Sequence, residues 1–157
     1  MTFWDWALEA YRKPDAAPAC LHLQDSYGQC VPYLLWAAWA EASGRPLPSE
    51  ILKRGAALAH RWEQTAVGFL RAARREMKAP LSGLDDAVRE ALRSEVKALE
   101  LKAERTLMAA LEATMPEPGA EPEIPPRPLQ AALAAAAAAW RVPAPASALG
   151  RLAEALV

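Results

Sequence analysis

Apolar residues recur every three or four positions along most of this chain, the period of helices that bury one face. Phe3, Trp4, Ala7, Leu8 and Tyr11 share a face in the first such segment, which Thr2 and Asp5 open in the manner of a capping box and Pro14 ends. Trp6 lies off that face and needs a second neighbour. Asp15 is placed to cap a following helix, with Pro18 in its first turn, that runs to about Tyr27 and stops at a left-handed Gly28. The next stretch breaks the pattern. From Val31 to Ala42 the only charge is Glu41; Val31, Leu34, Leu35, Ala38, Trp39 and Ala42 form one apolar face, and Tyr33, Trp36, Ala37 and Ala40 form another. A helix apolar on nearly every side must be wrapped by others.

Beyond Gly44, Ser49 can cap a long helix to about Lys78, whose stripe is Ile51, Gly55, Leu58, Trp62, Ala66, Phe69, Leu70, Ala73 and Met77. A turn then leads into a second long helix from about Asp86 to Thr114, striped by Val88, Leu92, Val96, Leu99, Ala103, Leu107 and Ala110. Two long helices joined by a short turn form an antiparallel hairpin. The predicted fold class is therefore all-α, a small helical bundle around a buried central helix (about 31–43) with a long hairpin (about 49–78 and 86–114). Residues 1–115 make the helical domain, 116–128 a proline-rich, semi-rigid linker, and 129–157 an alanine-rich helical tail. That tail is too short to hold itself folded, so it must dock on its own domain, dock on a partner, or fray.

Charge adds one feature. The net value is only −1 over 157 residues, so no global field recruits nucleic acid or an acidic membrane. Residues 45–79, however, carry eight Lys or Arg against three Glu, and 85–123 carry ten acids against five bases. Opposite signs in neighbouring segments predict that they meet, with Arg71, Arg74, Arg75 and Lys78 near Asp85, Asp86, Glu90 and Glu95, and with Glu100 and Glu104 also in reach. Two cysteines are too few for a disulfide scaffold. The first residues have neither a basic start nor a small-residue cleavage site, and no apolar run nears the ~20 residues of a membrane span. A cytoplasmic, reduced protein without a membrane partner is expected.

Candidate chemistry is sparse. Cys20, His22 and Cys30 lack both the spacing and the fourth ligand of a zinc site, and neither cysteine has a visible base. No catalytic residue, metal or cofactor is expected. Gln24 shares a face with Ala17, Cys20 and Leu21, and a buried amide must find partners or cost ~1–3 kcal/mol. It can tie its helix to its neighbours, while Asp25 caps the Gly28 turn or pairs with an arginine. The sharper alternative is that Gln24, Asp25, Arg71 and Arg74 floor a small polar pocket. Trp6, Trp36 and Trp140 lie off the main stripes, and aromatics so placed are interface candidates.

The residues Phe3-Trp4-Asp5-Trp6-Ala7-Leu8, Tyr11, Cys20-Leu21, Leu23-Gln24-Asp25, Gly28, Leu34-Leu35, Trp39, Trp62, Leu70-Arg71, Arg74-Arg75 and Lys78, followed by Glu100 and Glu104, resemble an uncharacterised proteobacterial family of short proteins of unknown function. The resemblance covers roughly residues 2–112. Phe69 stands where that family has a proline, and Pro32 where it has a polar residue. One helical domain is what the resemblance implies, with no established activity.

Three function classes follow. The first is a non-catalytic helical protein-interaction or adaptor module, acting through aromatic surface and tail; its partner is another protein, with a homo-oligomer left open. The second is a small-molecule-binding or enzymatic domain built on the Gln24, Asp25, Arg71 and Arg74 pocket. The third is an RNA-contacting accessory factor, disfavoured because the acidic helix neutralises the basic run.

Overall fold

Local signals set the first three helices. In the computed structural model, which describes residues 1–117, 119 and 121–157, the Thr2 hydroxyl accepts from the Asp5 amide at 3.2 Å and opens α1 (Phe3–Tyr11). Helix α2 (Ala16–Tyr27) follows, although Asp15 makes no side-chain cap, and it ends at Gly28 with φ +58°. A residue with a Cβ is strained there, so glycine sets the stop. Helix α3 (Val31–Ala42) carries Pro32 in its first turn. The rest is α4 (Ser49–Trp62), a π-helical turn (Glu63–Val67), α5 (Gly68–Glu76), α6 (Asp86–Glu112), α7 (Leu129–Trp140) and α8 (Ala146–Leu156); no strand occurs among the described residues.

Helix α3 is the centre of the bundle. Every residue from Val31 to Ala40 is buried, and α1, α2, α4, α6 and α7 all pack against it. Phe3 stacks on Trp39 with ring centroids 5.2 Å apart. Tyr33 donates its hydroxyl to the Leu52 carbonyl at 3.0 Å. Opposite Trp36 the chain has Gly55, where an added Cβ would lie 2.5 Å from the indole, so the absence of a side chain is what lets α4 approach. The single charge of the helix is also matched. The Glu41 carboxylate, 6% exposed, accepts from the backbone amide and, at 3.4 Å, from the guanidinium of Arg127. A buried carboxylate without such a partner costs several kcal/mol.

The tail docks on its own chain. Helix α7 lies along α3 and α4, and α8 along α2 and α7. Small residues make this possible, because Ala132, Ala136 and Ala137 let the helix axes come close. Trp140 then closes the joint: its indole donates to the Gly28 carbonyl at 2.9 Å, stacks on His60 at 3.6 Å and faces Tyr33. His60 Nε2 donates to the Trp140 carbonyl at 3.0 Å. Of the linker predicted over 116–128, residues 118 and 120 lie outside those described.

The hairpin forms with its side chains arranged otherwise than predicted. The helix expected over 49–78 is interrupted at Glu63–Val67, where one extra residue in the turn shifts the following face by about 100°. Val67 therefore turns inward and is fully buried, while Phe69, expected in the stripe, is 70% exposed. Close approach explains the glycine that follows, since a Cβ on Gly68 would meet the Glu63 carbonyl at 2.7 Å. On α6 the expected stripe is only half used. Ala103 and Leu107 face the core, but Val88, Leu92 and Leu99 face solvent. The inner seam is held instead by arginines and Glu100. Arg89 bonds the Met77 and Lys78 carbonyls and pairs with Asp86 and Glu90, and Arg93 donates to the Arg74 carbonyl. The basic and acidic segments do meet, but Arg71 and Arg74 pair with Glu100, and Arg71 also with Glu63 and Glu104, rather than with the start of α6.

Gly55→Ala gains ~1 kcal/mol of helix propensity yet overpacks the Trp36 site. A net loss of ~1–3 kcal/mol in urea unfolding is expected, whereas an unchanged or raised stability would show that the indole has room to move.

Candidate functional site

Between α1 and α6 the chain leaves a cleft. The core contact of α1 is made by Phe3 and two small residues, Ala7 and Ala10. Its larger side chains Trp4, Leu8 and Tyr11, spaced by four and three, are thereby left at the edge. Leu101, Glu104 and Met108 of α6 form the facing wall, Val31, Pro32 and Leu35 of α3 the floor, and Gln24 of α2 one end. The cavity measures about 310 Å³, within the range of small-molecule sites. A more open hollow of about 460 Å³ continues from it past Tyr11, Gln24, Leu101 and Glu104 to Arg74, Lys97 and Glu100.

Behind Glu104 lies the electrostatic centre of the hairpin. The one guanidinium of Arg71 serves three carboxylates, Glu63, Glu100 and Glu104, each at 3.2 Å. Arg74 gives both Nε and Nη2 to Glu100. Burial by itself would lower the Arg71 pKa, but Glu63, Glu104 and Glu100 together outweigh it and hold the guanidinium above its ordinary value. Arg74 is raised by its bond to Glu100. Glu104 moves the other way from a usual salt-bridged acid: burial pushes its carboxyl up, Arg71 opposes this, and Glu100 adds to it. Three acids thus share two arginines, and Glu63 and Glu104 each rely on Arg71 alone.

The phenol and the thiols near the cleft are held neutral. Burial raises the Tyr11 phenol, with Cys20 next to it adding to the shift. It also pushes the Cys20 thiol up to about 11 and raises Cys30 further. Neither sulfur is a thiolate near neutrality, which removes the nucleophilic form; both cysteines are free.

Of the four residues expected to converge, Gln24 and Arg74 line the outer hollow. Arg71 sits behind it and is spent on carboxylates. Asp25 turns away and pairs with Arg75 at 2.8 Å on the surface, both more than half exposed. Among the expected interface tryptophans, Trp6 is half-buried beside Trp39 and Arg45 in a shallow hollow. Trp36 and Trp140 are corrected: both are buried, at 0% and 4% exposure, because α3 has no outer face and α7 covers one of its sides. Trp4, Tyr11, Glu104 and Met108 were missed as site residues. The signal available was the pairing of Ala7 and Ala10 with bulky neighbours, since small residues at the core contact leave the bulky ones at the rim.

A family model described as protein of unknown function (DUF2390) matches residues 2–111, so the chain belongs to that family. The match takes in the cleft and the arginine cluster and leaves α7 and α8 outside. Neither the curated proteins nor the solved structures gave a match.

A carboxyl whose folded pKa is raised stabilises fully only below its unfolded value, and that contribution is lost as pH rises through the folded one. Glu104→Gln cannot titrate. Its stability relative to the parent should therefore improve as pH climbs from the ordinary carboxyl range toward neutrality, measured by urea unfolding at a series of pH values; a gap that is constant or shrinks would contradict the assignment.

Proposed function

We propose that this family member is a non-catalytic protein-interaction module whose contact surface is the outer face of the α5–α6 hairpin. The observation that carries the reading is an inversion of the usual arrangement. Away from the core the hairpin largely buries four charged side chains, Arg71, Arg74, Arg89 and Glu100, and leaves several large apolar ones in solvent. Phe69, Val88, Leu92 and Leu99 are 52–70% exposed, and Leu81 and Leu84 at the tip are also open. Val88, Leu92 and Leu99 fall along one line of α6, the spacing at which one helix offers a seam to another. Large apolar side chains left open along one helix line of a protein surface mark a contact site.

The occupant that fits is the apolar face of a helix from another protein. The cleft offers little for catalysis, because no cysteine lines it, the nearby Cys20 thiol is held protonated and Arg71 is fully engaged. The RNA reading draws less support still, since Arg71 and Arg74 are committed to Glu63, Glu100 and Glu104. The tail acts here as a cover for α3, not as a free arm.

A photo-crosslinking residue placed at Leu92 or Leu99 of the full chain should give the same discrete adduct in the native cell, and one at Lys53 on α4 should not. Leu92→Glu with Leu99→Glu should abolish the adduct from a crosslinker at Val88 while changing stability by no more than ~0.5 kcal/mol, as exposed positions do. Equal labelling at all sites, or none at Leu92 and Leu99, would overturn the reading.

A further inference from the structure

We propose that the cleft between α1 and α6 binds a small apolar amine, its hydrocarbon body between Trp4, Leu35 and Met108 and its protonated nitrogen against Glu104. This site is separate from the hairpin strip. At 100° per residue, Leu101, Glu104 and Met108 project from the side of α6 opposite Val88, Leu92 and Leu99.

Size and lining define the body. About 310 Å³ of partly enclosed space walled by an indole, a leucine and a thioether suits a single ring or a short alkyl chain. The rim is equally apolar, with Leu8 and Leu101 about half exposed. Water in such a slot finds few partners, and its displacement by hydrocarbon is favourable.

Three polar groups define the head. The Tyr11 phenol, the Gln24 amide and the Glu104 carboxylate line the inner cavity, and Glu104 is its only charged wall residue. Among the described residues Gln24 has only a long contact, 3.5 Å, to Asp25. One Glu104 oxygen takes an Arg71 bond at 3.2 Å, but Arg71 is shared with Glu63 and Glu100, so the cluster carries one more carboxylate than guanidinium. Burial, with Glu100 and Glu63 adding to it, pushes the Glu104 carboxyl up against the pull of Arg71. Two further cations lie nearby on α6 and are engaged or outside: Arg105 stacks on Trp4 at 5.0 Å, and Lys97 lines only the outer hollow. An ammonium supplies the missing positive charge through a charge-assisted hydrogen bond. A carboxylate ligand would meet only repulsion, and a neutral one would bury Glu104 further without a counter-charge.

The test uses 2-phenylethylamine, 2-phenylethanol and phenylacetate, followed by NMR on the Met108 methyl and the Trp4 indole of the full chain. The amine should shift both signals saturably, the alcohol should bind about tenfold or more weakly, as loss of a charge-assisted bond implies, and phenylacetate should not bind. Glu104→Gln should erase the preference of amine over alcohol. Leu101→Trp, at an exposed rim position and therefore safe for folding, should weaken both by narrowing the mouth. Equal binding of amine and alcohol, shifts confined to residues away from the cleft, or no saturable shift with the amine would overturn the proposal. None of these outcomes bears on crosslinking at Leu92, so this site and the hairpin strip fail independently.

Discussion

Ten consecutive residues of α3 have no polar face to turn toward water, and a helix of that kind can be stable only if other elements cover it all round. Much of the remaining architecture answers this demand. Helix α1 runs along it, with Ala7 and Tyr11 near Val31 and Leu35 and with Phe3 on Trp39, and α2, α4, α6 and α7 pack against it as well. The coverage is close enough to fix side-chain size, as at Gly55 beneath Trp36. It also reaches far along the chain. Arg127, in the segment before α7, neutralises the one carboxylate of α3, and Trp140, at the end of α7, bonds to the turn that precedes it. The alanine-rich helix is thus coupled to the core by packing, by charge and by a directed hydrogen bond.

The hairpin follows a different rule. Away from α3 its two helices meet through arginines and acids, and each arginine is matched by carboxylates or by carbonyls at the hairpin end. Such a seam needs little hydrocarbon, so Val88, Leu92 and Leu99 of α6 are released to the outside. The π-helical turn contributes to this, since its extra residue swings Arg71 toward Glu100 and Glu104 and swings Phe69 out to water. One backbone irregularity therefore accounts for both the buried ionic cluster and part of the exposed apolar strip, which ties the two proposed contact regions to a common structural cause.

How far the fold was legible depended on whether the deciding interaction was local. The Thr2 cap, the Gly28 stop and the apolar run of α3 are written in adjacent residues, and the central helix was identifiable from them. The π-helical turn was not, because Ala66, Phe69 and Leu70 continue a spacing of three and four as if the helix were regular. Trp36 and Trp140 were misplaced for a related reason. Lying off the main stripe means facing out only when a helix has an outer face; α3, which carries Trp36, has none, and Trp140 is on the side of α7 that covers α3. Gln24 and Arg74 do reach one hollow, but pairing across helices sends Asp25 to Arg75 and commits Arg71 to acids from α6 and the π-helical turn. Those choices depend on the register of distant segments.

Native-state hydrogen exchange is the direct measurement of the central constraint. If α3 is covered on every side, the amides of Leu34 to Ala40 exchange only through global unfolding, with an opening free energy equal to that from urea denaturation, while the first turns of α6 open at much lower cost. Exchange of the α3 amides through a partial opening, at a free energy clearly below the global value, would show that one of its covers is loose and would contradict the architecture described.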